Sequence, residues 1–248
     1  MTLQAFFTQH PKVAIAFSGG CDSAYLLYEA AFYGDDVRAY YINTPFQPAF
    51  ELKDAEQFCQ LYRIPLVVLD LDVCAVPEIM HNDNLRCYYC KRAIFSRIRE
   101  ASLADGYSVL LDGTNASDDS SDRPGMKALS ELEVISPLRQ CNLTKEEIRA
   151  YSCELGLFTH DKPSYACLAT RIATGTPIFT SDLERIELCE DILTNFGFSD
   201  FRIRIYNHIA KIQLPLAQFS LALKYRESIL NSFKPYFSEV LLDLQPRV

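Results

Sequence analysis

Four short apolar runs mark the first half of the chain: Val13 to Phe17, Val37 to Ile42, Leu66 to Leu71 and Ser108 to Leu111. Each is rich in Val, Ile, Leu or Tyr and apolar on both faces, which predicts strands buried on both sides. Between them, Ser23 to Tyr33, Ala49 to Tyr62 and Lys91 to Ala104 carry helical patterns. Such alternation predicts an α/β fold with a parallel sheet, and ligands beyond the carboxyl ends of its strands. From Gly113 to Thr180 the pattern is less regular. Polar loops surround one helix, opened by the capping box Thr144-Lys145-Glu146-Glu147 and stopped near Gly156. A second box, Ser181-Asp182-Leu183-Glu184, predicts a helix to about Asn195, closed by Gly197. Phe201 to Tyr206 and Ile209 to Leu214 then alternate as strands around an Asn207-His208 turn. A helix (Leu216 to Ser232) and a strand (Glu239 to Leu244) finish the chain. The change of pattern predicts an α/β domain over 1–176 and a small α+β domain over 177–248.

The length of 248 residues allows one large domain or one with a small companion. With 49% hydrophobic and 23% charged residues, a core can be buried and wholesale disorder is excluded. No apolar run approaches the ~20 residues of a membrane span, and Met1 to Phe17 lacks the layout of a signal peptide. The net charge of -8 opposes binding to nucleic acid. Nine cysteines without a secretory signal point to a reducing cytoplasm, where they serve as buried hydrophobes, metal ligands or reactive thiols.

Candidate chemistry begins with Phe17-Ser18-Gly19-Gly20-Cys21-Asp22-Ser23, at the junction of the first strand and first helix. Gly19 and Gly20 let the backbone turn tightly and bring N–H groups toward an anion. The helix N-terminus adds unpaired N–H groups and a positive dipole end. Ser18 and Ser23 add hydroxyls. Asp22 would repel phosphate unless a cation such as Mg2+ lay between them. The lysine of a GxxxxGK[ST] loop is missing. The string resembles the pyrophosphate loop of the PP-loop ATP pyrophosphatases. That resemblance implies a Rossmann-like sheet, ATP as cofactor and adenylation of a substrate. Cys21 fills the variable position and reads as a tolerated small residue.

The second feature is Arg86-Cys87-Tyr88-Tyr89-Cys90-Lys91, just before a helix. Two thiolates at this spacing can reach one metal, and further ligands must come from elsewhere. Cys167, in a polar loop beside Lys162 and Arg171, is the leading third, and those cations would favour its thiolate. Three thiolates suit a 4Fe-4S cluster with one iron left open. Zinc with His160 as fourth ligand, a redox dithiol and plain burial are the alternatives. Cys59, Cys74, Cys141, Cys153 and Cys189 read as core packing.

Together with these strings, Asp112-Gly113-Thr114-Asn115, Asp122-Arg123-Pro124-Gly125, Ser136-Pro137-Leu138, Asp161-Lys162-Pro163 and Cys167-Leu168-Ala169-Thr170-Arg171-Ile172 recur in this order in LarE-type proteins. The resemblance runs over almost the whole chain. It implies an ATP-dependent sulfur insertase for a pyridinium dicarboxylate mononucleotide, the precursor of a nickel-pincer cofactor. ATP activates a carboxylate as an acyl-adenylate, and a sulfur nucleophile displaces AMP to leave a thiocarboxylate. Some members donate sulfur from the cysteine matching Cys167. Others have cysteines matching Cys87, Cys90 and Cys167 and resemble cluster enzymes that carry an extra sulfide; this chain has all three. Lys91 matches a lysine near the reacting centre. Arg202 and Arg204, on one face of a strand, match arginines that bind the substrate phosphate, with Arg123 and Arg171 as weaker candidates. The resemblance also implies a homo-oligomer. Thr170, Ala173 and Thr174 depart from the pattern, which bears on the substrate pocket. The rival functions are tRNA thiolation, which would want a basic surface, amidation, which needs ammonia delivery, and a non-catalytic nucleotide or metal sensor.

Overall fold

The computed structural model describes residues 1–118, 124–163 and 165–247. The chain divides into two compact units. One comprises Met1–Ile79 and Leu85–Tyr165, the other Met80–Asn84 and Ala166–Val248. Among the described residues no helix is long and apolar enough to cross a membrane.

In the first unit, β1 (Lys12–Ala16), β2 (Asp36–Asn43), β3 (Leu66–Asp70) and β4 (Leu110–Leu111) form a parallel sheet in the order β3-β2-β1-β4. A bridge from Leu111 to Ile135 continues it by one step. In β1, the inner part of β2 and β4 the runs are unbroken because both faces are buried. β3 is an edge strand whose residues are only half-buried or exposed, Val68 among them, so the expected burial on both sides does not hold there. Val13, Ile15, Ala39 and Tyr41 enter one core with Phe6, Leu27 and Phe58. Ala14, Tyr40 and Ile42 enter the other with Phe95, Ile98 and Leu129. Helices Cys21–Tyr33 and Ala49–Tyr62 therefore cover one face, and helices Arg86–Ala104 and Pro124–Glu131 the other. The chain steps outward from β1 to β3, then crosses to the far side of β1. The gap between the carboxyl ends of β1 and β4 is thus the switch point of this Rossmann-like sheet. The capping box at Thr144 forms as its spacing predicts, with side-chain and backbone bonds exchanged between Thr144 and Glu147. The helix Pro124–Glu131 was hidden by the polar loop before it. The helix bearing the Cys-x-x-Cys pair starts at Arg86, so both thiols belong to its opening turns and do not precede it.

In the second unit, β5 (Arg202–Tyr206), β6 (Ile209–Gln213) and β7 (Glu239–Leu242) form a sheet, antiparallel then parallel. Asn207 takes φ 56°, as a tight hairpin requires. The helix Thr180–Asn195 lies along β5 and buries Leu183, Ile186 and Leu193. The Ser181 capping box does not form. The helix begins one residue earlier, Phe179 precedes it without a side-chain cap, and Asp182 pairs instead with Arg185. The helix expected over Leu216 to Ser232 is interrupted at Tyr225, whose ring stacks on Phe196.

The second unit begins at Ala166, before the change of sequence pattern at 176, and a buried ion pair is the reason. Arg171, 1% exposed, meets both carboxylate oxygens of Glu190, 6% exposed, at 2.8 and 3.1 Å. Glu190 also accepts the Ile203 N–H at 3.2 Å. The 166–176 stretch is thereby fixed to the helix and to β5. Removing one partner of such a pair leaves a buried charge. Glu190→Ala should therefore cost about 3–5 kcal/mol of stability in urea titration; a loss below ~1 kcal/mol would show that the pair carries no such role.

Candidate functional site

The loop between β1 and the helix Cys21–Tyr33 closes the switch point. Gly20 caps the helix with extended backbone and no side-chain bond, so the first N–H groups lack intrahelical acceptors and can meet an anion. Hydroxyls hold the loop in shape. Ser18 Oγ and Ser23 Oγ lie 3.0 Å apart, and Ser23 Oγ donates to the Gly20 carbonyl at 3.2 Å. From the other side, Gly113 follows β4. A Cβ there would sit 2.9 Å from the Ser23 nitrogen, so only glycine lets the strand end touch the helix's first turn. Asp112 fixes this approach by accepting the Thr114 hydroxyl at 2.5 Å and the Ser136 hydroxyl at 2.6 Å.

A cavity of about 290 Å³ opens here. Ser18, Gly20, Asp22 and Ser23 line it together with Lys91, Asp112, Thr114 and Asp118. The phosphate-loop residues and Lys91, predicted separately, therefore share one cavity. Gly19 is not among the lining residues. Asp22 is its least satisfied member: Oδ1 is buried with no hydrogen-bond partner among the described residues. Burial pushes the Asp22 carboxyl above its ordinary value; Lys145 opposes this and Asp118 adds to it. An orphaned carboxylate oxygen beside a second carboxylate is a donor set that suits Mg2+.

Cys87, exposed, and Cys90, half-buried, lie at i and i+3 on the helix Arg86–Ala104. Lys91, at i+4 from Cys87, shares that face. Arg86 donates to Cys87 Sγ at 3.7 Å. Cys167 is half-buried and precedes the short 3-10 turn Leu168–Arg171 of the second unit. Among the described residues, no group of three His, Cys, Asp or Glu side chains is assembled to hold a metal ion. Of the two cations expected to favour the Cys167 thiolate, Arg171 stands beside it and donates to the Cys167 carbonyl at 3.4 Å. Lys162 pairs with Asp54, and Arg171 binds Glu190 and the Ala166 carbonyl. Arg171 is thus a core residue of its unit, not an anion ligand. Arg123 lies outside the described residues. Of the other cysteines, Cys59 and Cys189 are buried, with thiols pushed up to about 12. Cys21 is buried against Ser152, in keeping with a passive role. Cys153 corrects the reading of core packing, because it is exposed.

Arg202 and Arg204 lie on the face of β5 opposite Ile203 and Ile205. Arg202 is buried, and desolvation aided by Arg171 and Arg247 lowers its pKa to about 10, so it stays cationic at neutral pH. Arg204 donates to Gln213 at 2.7 Å and to the Thr170 carbonyl at 2.8 Å. Gln213 donates in turn to Asp243 at 2.8 Å. The residues missed from sequence are supporting ones: Asp112, Gly113, Asp118, Lys145 and Glu190. The string Asp112-Gly113-Thr114-Asn115 directly after a strand was the available signal for the first two.

No family model matches the chain, but relatives match it over nearly their full length. An uncharacterised protein of Synechocystis is 32% identical over 249 residues, covering 98% of this chain and 92% of the relative. An uncharacterised protein of Methanocaldococcus jannaschii is 31% identical, covering 96% and 91%. The pyridinium-3,5-bisthiocarboxylic acid mononucleotide synthase of Lactiplantibacillus plantarum is 29% identical, covering 98% and 89%. With 31–32% identity along almost its whole length, the chain belongs to one family with the Synechocystis and Methanocaldococcus proteins, and it is similar over the same length to the Lactiplantibacillus synthase.

Proposed function

We propose that the protein is an ATP-dependent sulfur transferase acting on a carboxylate of a small pyridinium dicarboxylate mononucleotide. The observation that carries this reading is one helix face. Lys91 lines the cavity of the Ser18–Ser23 loop, Cys87 stands one turn before it on the same helix, and Cys90 directly precedes it. Activation and sulfur delivery could then occur side by side. The name of the Lactiplantibacillus relative, a synthase of a bisthiocarboxylic mononucleotide, supports the substrate class.

In this reading the loop N–H groups, Ser18 and Ser23 bind the ATP phosphates, and Asp22 holds the Mg2+ that offsets its own repulsion of them. A substrate carboxylate oxygen attacks the α-phosphorus and pyrophosphate leaves. A sulfur nucleophile then attacks the acyl carbon and AMP leaves, with Lys91 stabilising the negative charge that develops. Arg202 and Arg204 bind the substrate phosphate. Cys87, Cys90 and Cys167 would hold a 4Fe-4S cluster with one open iron, which when bound supplies the sulfur. Without it, Cys167 itself is the donor: its thiolate displaces AMP to form a thioester, and loss of its α-proton then breaks the Cβ–Sγ bond, leaving the thiocarboxylate and dehydroalanine.

Anaerobic purification with iron and sulfide analysis tests the donor. Cys87→Ala, Cys90→Ala and Cys167→Ala should each lower iron content several-fold, and the substrate should gain a sulfur in place of an oxygen by mass spectrometry. Unchanged iron in all three variants would overturn the cluster. Loss of activity in Cys167→Ala alone, with no iron present, would assign the sacrificial route.

The Asp22 assignment has a signature in the absence of ligand. Its raised carboxyl binds a proton in the folded chain that the unfolded chain has already lost. Stability from this group is therefore lost as pH rises from the ordinary carboxylate range through the raised value. Asp22→Asn should raise the melting temperature at pH 7 without metal or nucleotide, flatten this pH dependence, and abolish Mg2+-dependent turnover. A variant less stable than the parent at pH 7 would contradict the burial argument.

A further inference from the structure

Lys162 lies far from the phosphate loop in sequence, yet its ammonium donates to the Gly19 carbonyl at 3.1 Å. The same ammonium pairs with Asp54 of the helix Ala49–Tyr62 at 2.5 Å, and it lies 5.5 Å from the centre of the Phe50 ring on that helix. The lysine side chain is 16% exposed, so these bonds are shielded from bulk water. Its backbone is held as well. Arg149 donates to the Lys162 carbonyl at 2.6 Å and to the His160 carbonyl at 2.7 Å. Gly19 takes φ 71°, and a Cβ there would come within 3.1 Å of the Glu51 carbonyl. The loop is thus seated against the helix Ala49–Tyr62, and Lys162 is the cation that ties the Gly19 carbonyl to that helix.

We infer that Lys162 is a positioning residue for the phosphate loop, an inference that rests on the ATP reading above. A loop binds anions only if its carbonyls turn away while its N–H groups turn inward. Lys162 holds the Gly19 carbonyl on the helix side, away from the cavity, and Asp54 neutralises the lysine so that it is not itself an anion ligand. Arg149 and the 160–163 segment form the strap that brings it there. Lys162 acts on the phosphates through the Gly19–Gly20 peptide and leaves the adenosine part of the nucleotide untouched.

The test compares Mg-ATP and adenosine binding by calorimetry, with steady-state kinetics, in the full-length protein and in K162M and K162R. In K162M the Kd and KM for Mg-ATP should rise roughly tenfold or more, the magnitude of a lost charged hydrogen bond. Adenosine affinity and kcat should change less than about twofold, and K162R should recover most of the ATP affinity. If K162M does not fold, K162R against D54N supplies the comparison: K162R should bind ATP near the parental level, and D54N more weakly with adenosine unaffected. Parental ATP affinity in K162M, or equal weakening of ATP and adenosine, overturns the inference alone. A parental protein that binds no ATP overturns the nucleotide reading and the inference with it.

Discussion

A parallel sheet buried on both faces must place connecting segments on both sides, and the rest of this molecule follows from where the chain changes sides. The first three strands are joined over one face and the fourth is reached over the other. The change leaves a gap at the carboxyl ends of β1 and β4. The backbone donors of a helix N-terminus point into that gap because nothing in the sheet satisfies them. Closing the gap to ligand dimensions requires the end of β4 to touch the helix backbone, which the absence of a side chain at Gly113 allows.

The electrostatics of the cavity follow from the same closure. Placing Asp22 in the first helical turn buries a carboxylate beside Asp118 and leaves Oδ1 without a partner among the described residues. Burial disfavours the charged carboxylate there even with Lys145 and Arg149 nearby. The second unit shows the reverse arrangement. Arg171 is neutralised by Glu190 inside the core, while Arg202 is crowded by Arg171 and Arg247 yet remains protonated at neutral pH. Asp200 offsets part of that crowding, at 2.9 Å from Arg247 and 3.9 Å from Arg202.

Much of this was legible in the residues. The continuous apolar runs identified the strands and, at β1 and β4 but not the edge strand β3, burial on both faces. The Thr144 box identified its helix, and the alternation of Arg202 and Arg204 identified a shared face. What could not be read depended on contacts distant in sequence. Lys162 and Arg171 look alike beside Cys167 in the chain, but one reaches Gly19 and Asp54 and the other Glu190. The Ser181 box failed because the helix starts at Thr180, which places Ser181 inside its first turn instead of at the cap. Cys153, between Ser152 and Glu154, lies on the solvent side of its helix, which the residue type alone does not reveal.

The central claim is that the β1–β4 cavity holds ATP by its phosphates for cleavage between the α and β positions. Product analysis with the pyridinium dicarboxylate mononucleotide, Mg2+ and ATP tests it most directly. AMP and pyrophosphate in equal amounts, formed only when the mononucleotide is present, are the predicted result. ADP and phosphate, or no turnover by protein loaded with its sulfur source, would contradict it.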